Sequence, residues 1–155
     1  SIATSKEFYQ KKFDDYGVLK SVTFSDYNKS FKDHLNEYKK IDIALDTFPW
    51  NGVTTTLESI WMNVPVVVLE GFNFSSRCGS SINKNLKLLN LIAKNKEEYI
   101  SKAVTLAQDK NKLYEIRKNL FIDALNSSLF NKEKFSIEFF TLLEKIFNKR
   151  LASKL

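Results

Sequence analysis

Apolar and polar positions change period several times along this chain, and the changes mark out its elements. VPVVVLEG, Val64 to Gly71, is a nearly unbroken β-branched run, the pattern of a strand buried on both faces. IDIAL, Ile41 to Leu45, is a second short apolar strand. VLKSVTF, Val18 to Phe24, sets Val18, Lys20, Val22 and Phe24 against Leu19, Ser21 and Thr23, the alternation of a half-buried strand. LIAK, Leu91 to Lys94, reads as a short strand or an extended connector.

Between these runs the period lengthens to that of a helix. TSKEFYQKKFDDYG opens on Thr4 and Glu7, which are spaced as a capping box, and stops at Gly17. SFKDHLNEYKK carries Phe31, Leu35 and Tyr38 on one face. TTTLESIWMN is a helix that ends near Asn63, ahead of Pro65. SSRCGSSINKNLKLLN is expected to be helical throughout. Three further helices close the chain over about residues 96–150. Their apolar faces are Tyr99, Ala103 and Leu106; then Leu113, Ile116, Leu120 and Ala124; then Phe135, Phe139, Leu142 or Leu143, and Ile146.

Strands alternating with helices, followed by helices alone, imply a Rossmann-like α/β fold. It has a parallel sheet, helices on both faces and a helical C-terminal end. Three or four strands are few for such a sheet. The expectation is a single partial domain over residues 1–155 that lacks its first strands.

Composition narrows the class. With 155 residues, 43% apolar, the chain is long enough for a real core. No apolar run approaches the roughly 18 residues that span a bilayer, and one cysteine excludes an internal disulfide framework; both fit a cytoplasmic location. The net charge of +6 is spread among acids, as in KNKLYEIRK, so a dedicated nucleic-acid surface is not expected. One Cys and one His leave no ordinary zinc set built from those ligands. Richness in Lys, Asn, Ile and Phe suggests an AT-rich bacterial genome.

The candidate chemistry lies in LDTFPWNGVTTTLESIW, Leu45 to Trp61. Three β-branched residues are a poor helix start on propensity alone. A strand, a loop with glycine and a helix N-terminus is, however, how parallel α/β folds hold phosphate. Asn51 and Gly52 turn the chain, and Thr54, Thr55 and Thr56 present N–H and O–H donors to an anion. The competing reading makes Thr54 an N-cap and Gly52 a turn residue. Glu58, one turn on, either complements the helix dipole or accepts from a ribose diol. Asp46 is expected to orient the loop backbone, Cys78 to be a buried small hydrophobe, and Trp61 and the Phe135, Phe139, Phe140 and Phe147 stripe to be core. Part of that stripe has a second reading, as a surface between domains. Arg77 would bind a carboxylate or phosphate, or hold the last helices through an ion pair.

DIALDTFPWNGVTTTLESIWMNVPVVVLEG, the SSR of Ser75–Arg77, LIAKNKEEYISKAVTLA and SSLFNKEKFS, in that order, resemble the C-terminal half of the catalytic region of the O-linked N-acetylglucosaminyltransferase family, including its bacterial homologues and the protein N-glucosyltransferases. The resemblance implies the C-terminal domain of a two-domain GT-B enzyme, an inverting protein glycosyltransferase that uses a UDP-sugar without a metal or other cofactor. It matches Asn51, Gly52, Val53, Thr54, Thr55 and Thr56 to the segment that binds the donor diphosphate. It matches Glu58 to an acid on the ribose and His34 to a histidine near the uracil base, with Arg77 in support. Val53 stands where relatives often carry histidine, glycine or threonine, leaving only the backbone N–H as a donor there. It further implies that groups acting on the acceptor protein, and helical repeats of the tetratricopeptide type, belong to the parent protein outside this stretch. This stretch alone is expected to be inactive. The competing class is a degenerate, non-catalytic binding module.

Overall fold

Val66–Leu69 is the centre of the sheet, and every residue of it is buried. Side chains alternate across a strand. Val67 packs with Leu91 and Leu106 on one face, while Val68 points to the other, against Gly79. Both faces are therefore covered, which is why the run is apolar without alternation. We label this strand β2. β1 (Ala44–Leu45) and β3 (Ile92–Ala93) flank it, both parallel, with Ala44 opposite Val66 and Val68 opposite Ile92.

The computed structural model describes residues 2–25 and 30–152, without the side chains of residues 2–4. The helices are α1 (Ile2–Asp15), α2 (Phe31–Glu37), α3 (Thr54–Trp61), α4 (Cys78–Asn85), α5 (Lys96–Gln108), α6 (Lys110–Leu125) and α7 (Lys132–Ala152). The chain divides into two compact units, Ser1–His34 and Leu35–Leu155.

In the first unit, α1 begins before Thr4, so the Thr4–Glu7 capping box is not its start; the Thr4 side chain lies outside the described residues. Gly17 ends the helix as expected, at φ +69°, with Val18 N–H bonded to the Phe13 carbonyl. The strand expected over Val18–Phe24 is absent. Residues Leu19–Ser21 form a 3-10 turn closed by Ser21 N–H to Val18 and Val22 N–H to Leu19. The alternating side chains reflect local packing, with Phe24 edge-on to Phe13 at 6.1 Å, and no strand pairs with them.

In the second unit, two apolar clusters hold the helices to the sheet. Ile60, Ile82, Leu86, Leu120 and Ala124 join α3, α4 and α6. Leu91 and Leu106, with Tyr99, Ala103, Leu113 and Ile116 at the edge, pack α5 and α6 on Val67. These are the faces expected for α5 and α6. Arg117 ties α6 to the approach to β1 through the Ile41 carbonyl and the Asp42 carboxylate. Asn95 caps α5 by accepting from Glu98 N–H, and Asp109 caps α6 by accepting from Lys112 N–H.

Three further expectations are corrected. α4 stops at Asn85 because Lys87 adopts φ +59° and Leu88 N–H bonds back to Asn83 O; a 3-10 turn follows at Leu89–Leu91. Trp61 is not core: it is 43% exposed and lies edge-on to Phe121. In α7 no residue is buried, and Phe135, Phe139, Phe140 and Phe147 are all exposed.

Candidate functional site

The carboxyl ends of β1 and β2 lead into loops that meet. Asp46, directly after β1, organises the first. Its Oδ1 accepts from Thr47 N–H at 2.9 Å and Gly52 N–H at 2.8 Å, curling the 47–52 segment around the carboxylate. Asp46 thus orients the loop backbone, as expected from sequence. The Phe48–Pro49 bond within this loop is cis. Asn51 is buried and donates through Nδ2 to the Thr47 carbonyl at 2.9 Å. Its backbone N–H donates to Ser75 O at 3.0 Å, which joins the loop after β1 to the loop after β2. Tyr99 reaches in from α5, its hydroxyl donating to the Asp46 carbonyl at 2.7 Å. Burial, and then the Asp46 charge, push the Tyr99 phenol up to about 12. Burial likewise raises the Asp46 carboxyl, against the two backbone N–H groups that lower it.

α3 begins at Thr54. The residue before it, Val53, has no oxygen with which to cap the helix, and no side-chain cap bond forms. Thr54 is therefore the first helical residue and not an N-cap. Among the described residues no side chain caps this helix N-terminus, and its first amides carry the positive end of the dipole. The three threonines differ. Thr54 and Thr55 are exposed. Thr56 is buried, and its hydroxyl donates to the Gly52 carbonyl at 3.0 Å. Gly52 is required by close approach: a Cβ there would lie 2.3 Å from Thr55 Oγ1 and 3.0 Å from Thr56 Oγ1.

Glu58 lies one turn on from Thr54, on the same side of the helix. Tyr38 donates its hydroxyl to Glu58 Oε2 at 3.2 Å and approaches the Thr55 carbonyl at 3.3 Å. Burial, then the Glu58 carboxylate, raise the Tyr38 phenol to about 12. A small cavity of about 140 Å³ lies among Tyr38, Asp46, Thr55 and Ser59. Periodicity places Tyr38 only on a helix face, and its spacing from the threonine loop carries no sign of this contact.

A larger cleft of about 670 Å³ opens beside Val53, bounded by Phe72, Phe74, Arg77, Cys78 and Lys84. Phe72 and Phe74 are 88% and 86% exposed, on a loop held by Ser76, which bonds to Asn73 and to Gly71 N–H. Arg77 is exposed at this cleft and makes no ion pair among the described residues, so it does not hold the last helices. Cys78 is half-buried in the cleft wall, where a core position was expected; its thiol faces the Phe74 carbonyl at 3.3 Å. Glu70, after β2, accepts from Lys84, Lys94 and, at 2.9 Å, Ser80. The two ammonium groups hold its carboxyl well down, at about 2. His34 lies in α2 at the end of the first unit, half-buried, its ring 6.3 Å from Phe31.

An uncapped helix start thus follows the carboxyl end of a parallel strand. The fold matches that of a Thermobaculum terrenum O-GlcNAc transferase mutant with a TM-score of 0.86 and 29% identity, over 98% of this chain and 29% of that one. The architecture is that of a GT-B glycosyltransferase domain. The model for glycosyl transferase family 41 matches residues 6–139, and the chain belongs to that family, as a portion of the catalytic region of its O-GlcNAc transferase branch. The chain is 43% identical over 88 residues to the probable UDP-N-acetylglucosamine–peptide N-acetylglucosaminyltransferase SPINDLY of Solanum lycopersicum, covering 57% of this chain and 10% of that protein. It is 40% identical over 104 residues to the SPINDLY protein of Hordeum vulgare, covering 67% and 11%. It is 28% identical over 118 residues to the UDP-N-acetylglucosamine–peptide N-acetylglucosaminyltransferase of Caenorhabditis elegans, covering 76% and 10%. The chain thus spans about a tenth of the length of these relatives. They are plant and nematode proteins, so the expectation of a bacterial source rests on composition alone. Among the described residues, no helix is long and apolar enough to cross a membrane.

Proposed function

We propose that this chain is the donor-binding portion of an inverting protein glycosyltransferase, with UDP-N-acetylglucosamine or another UDP-hexose as donor. The observation that carries the reading is the uncapped N-terminus of α3, with two exposed threonines, at the carboxyl end of β1. The diphosphate lies against the Val53, Thr54 and Thr55 amides and the Thr54 and Thr55 hydroxyls. Glu58, steadied by Tyr38, accepts from the ribose diol. The family resemblance assigns His34 to the uracil base, and Arg77 adds positive charge at the cleft beside Val53. Asn51, Gly52 and Thr56 serve the diphosphate through the shape of the loop, their polar groups being spent on protein partners.

In the reaction an acceptor oxygen or amide nitrogen attacks the anomeric carbon as the bond to the diphosphate breaks. Negative charge grows on the departing phosphate. Preorganised amides in a helix N-terminus stabilise that charge without a metal. Groups that position the acceptor, and the repeats that present it, belong to the parent protein and not to this stretch. The test compares UDP with inorganic pyrophosphate by titration into the chain, beside Glu58→Gln. The reading expects UDP to bind more tightly than pyrophosphate, with Glu58→Gln lowering UDP affinity and sparing pyrophosphate. Equal, steeply salt-dependent binding of both would reduce the site to nonspecific charge attraction.

A further inference from the structure

We infer that Asp46, Asn51 and Gly79 form a lock that sets the Val53–Thr55 turn for its ligand without touching that ligand. The inference deepens the donor-site reading and rests on it for the identity of the ligand.

The lock joins three segments distant in sequence. Asp46 is 9% exposed. Its Oδ1 is committed to Thr47 and Gly52 N–H. Its Oδ2 is buried with no hydrogen-bond partner. Such an atom is costly to bury, so packing must hold the carboxylate where it is. Gly79, in the first turn of α4, does the packing. A Cβ at position 79 would lie 2.2 Å from Asp46 Oδ2 and 3.0 Å from Val68 Cγ1. Only a bare Cα lets α4 come this close. The Gly79 amide in turn donates to Asn51 Oδ1 at 3.3 Å, and Asn51 Nδ2 donates to Thr47 O at 2.9 Å. The carboxylate, the loop it curls and the helix beside it therefore have one mutual arrangement.

The consequence reaches the ligand through Gly52. A side chain at 79 displaces the carboxylate, which releases the Gly52 N–H and lets the Val53–Thr55 amides diverge. The helix itself does not depend on this contact. α4 is docked separately by Ile82 and Leu86 in the core and by Asn83 on the Val66 carbonyl. Asp46, Asn51 and Gly79 are accordingly positioning residues.

The experiment has two readouts. The first is hydrogen exchange at the Gly52 amide by NMR, which needs no ligand; the second is UDP affinity. Both are measured in the wild-type chain, Gly79→Ala, Asp46→Asn, Asp46→Ala and the Gly79→Ala/Asp46→Ala double variant. Asp46→Asn keeps the Oδ1 acceptor and retains Gly52 protection. Gly79→Ala and Asp46→Ala lose it, and each weakens UDP by about tenfold or more, as expected for residues of one coupled network. The double variant binds UDP no more weakly than Asp46→Ala, because both changes release the same amide. A Gly52 amide equally protected in Gly79→Ala, or losses that multiply in the double variant, would overturn the lock. If neither the chain nor its full-length parent binds UDP while the exchange pattern is as expected, the donor reading is refuted and the lock stands.

Discussion

Asn83 offers the sharpest stability test, because one side chain closes a gap that the sheet leaves open. Carbonyls along a strand point alternately to its two neighbours. Pro65 and Val67 are turned to β1, where they accept from Ala44 and Asp46. Val66 is turned the other way, but β3 pairs only with Val68 and Leu69. Asn83 Nδ2 fills the vacancy at 2.9 Å, fully buried. Asn83→Ala leaves a buried carbonyl without a donor, which costs about 1–3 kcal/mol. The void left by the amide adds up to about 1 kcal/mol. Removing the partnerless Oδ1 returns about 1 kcal/mol. The net expectation is a loss of about 2 kcal/mol, or a fall in Tm of about 4–8 °C for a chain of this size. Asn83→Asp should be worse, since it buries a carboxylate beside that carbonyl. Urea titration followed by circular dichroism reads both. An Asn83→Ala cost under about 0.5 kcal/mol, or an Asp variant no worse than Ala, would refute the assignment.

Other outcomes follow from the packing and charge. Leu120→Ala, at 2% exposure between α3, α4 and α6, should cost about 2–5 kcal/mol in the same titration. Phe135→Ala and Phe139→Ala in α7 should each change the stability of this chain by no more than about 0.5 kcal/mol, since both rings are exposed; a larger loss would mean α7 is packed after all. Glu70 is held at about 2 against an ordinary 4.5, so its ion pairs stabilise the fold above pH 4.5 and the contribution is lost as pH falls toward 2. Glu70→Gln should therefore flatten the dependence of Tm on pH in that window, and an unchanged slope would mean that Glu70 does not set it.

The central architecture was legible because its signals are local. The β-branched run marked β2, and Gly17 and Asn63 marked helix ends through left-handed backbone that those residues tolerate, Asn63 at φ 60°. Lys87 adopts the same backbone with no residue-type signal, so the end of α4 was missed. The strand expected over Val18–Phe24 failed because alternation reports sidedness and cannot report whether a partner strand exists. Periodicity also cannot say what covers an apolar face, so it cannot tell a core face in α7 or at Trp61 from one left exposed in this chain. At the site, the NGVTTT loop announced itself through its glycine and hydroxyls. The contacts of Tyr38, Tyr99 and Gly79 with that loop span 17 to 53 residues of sequence and exist only once the chain is folded.

The account stands most directly on whether the start of α3 holds a nucleotide diphosphate. Calorimetric titration of UDP into the chain, beside the Thr54→Ala/Thr55→Ala variant, measures this. Saturable binding to the wild type, weakened about tenfold or more by loss of the two hydroxyls, is the predicted result. UDP binding that is indifferent to both threonines, or no binding at millimolar UDP in the chain and in its full-length parent, would contradict it.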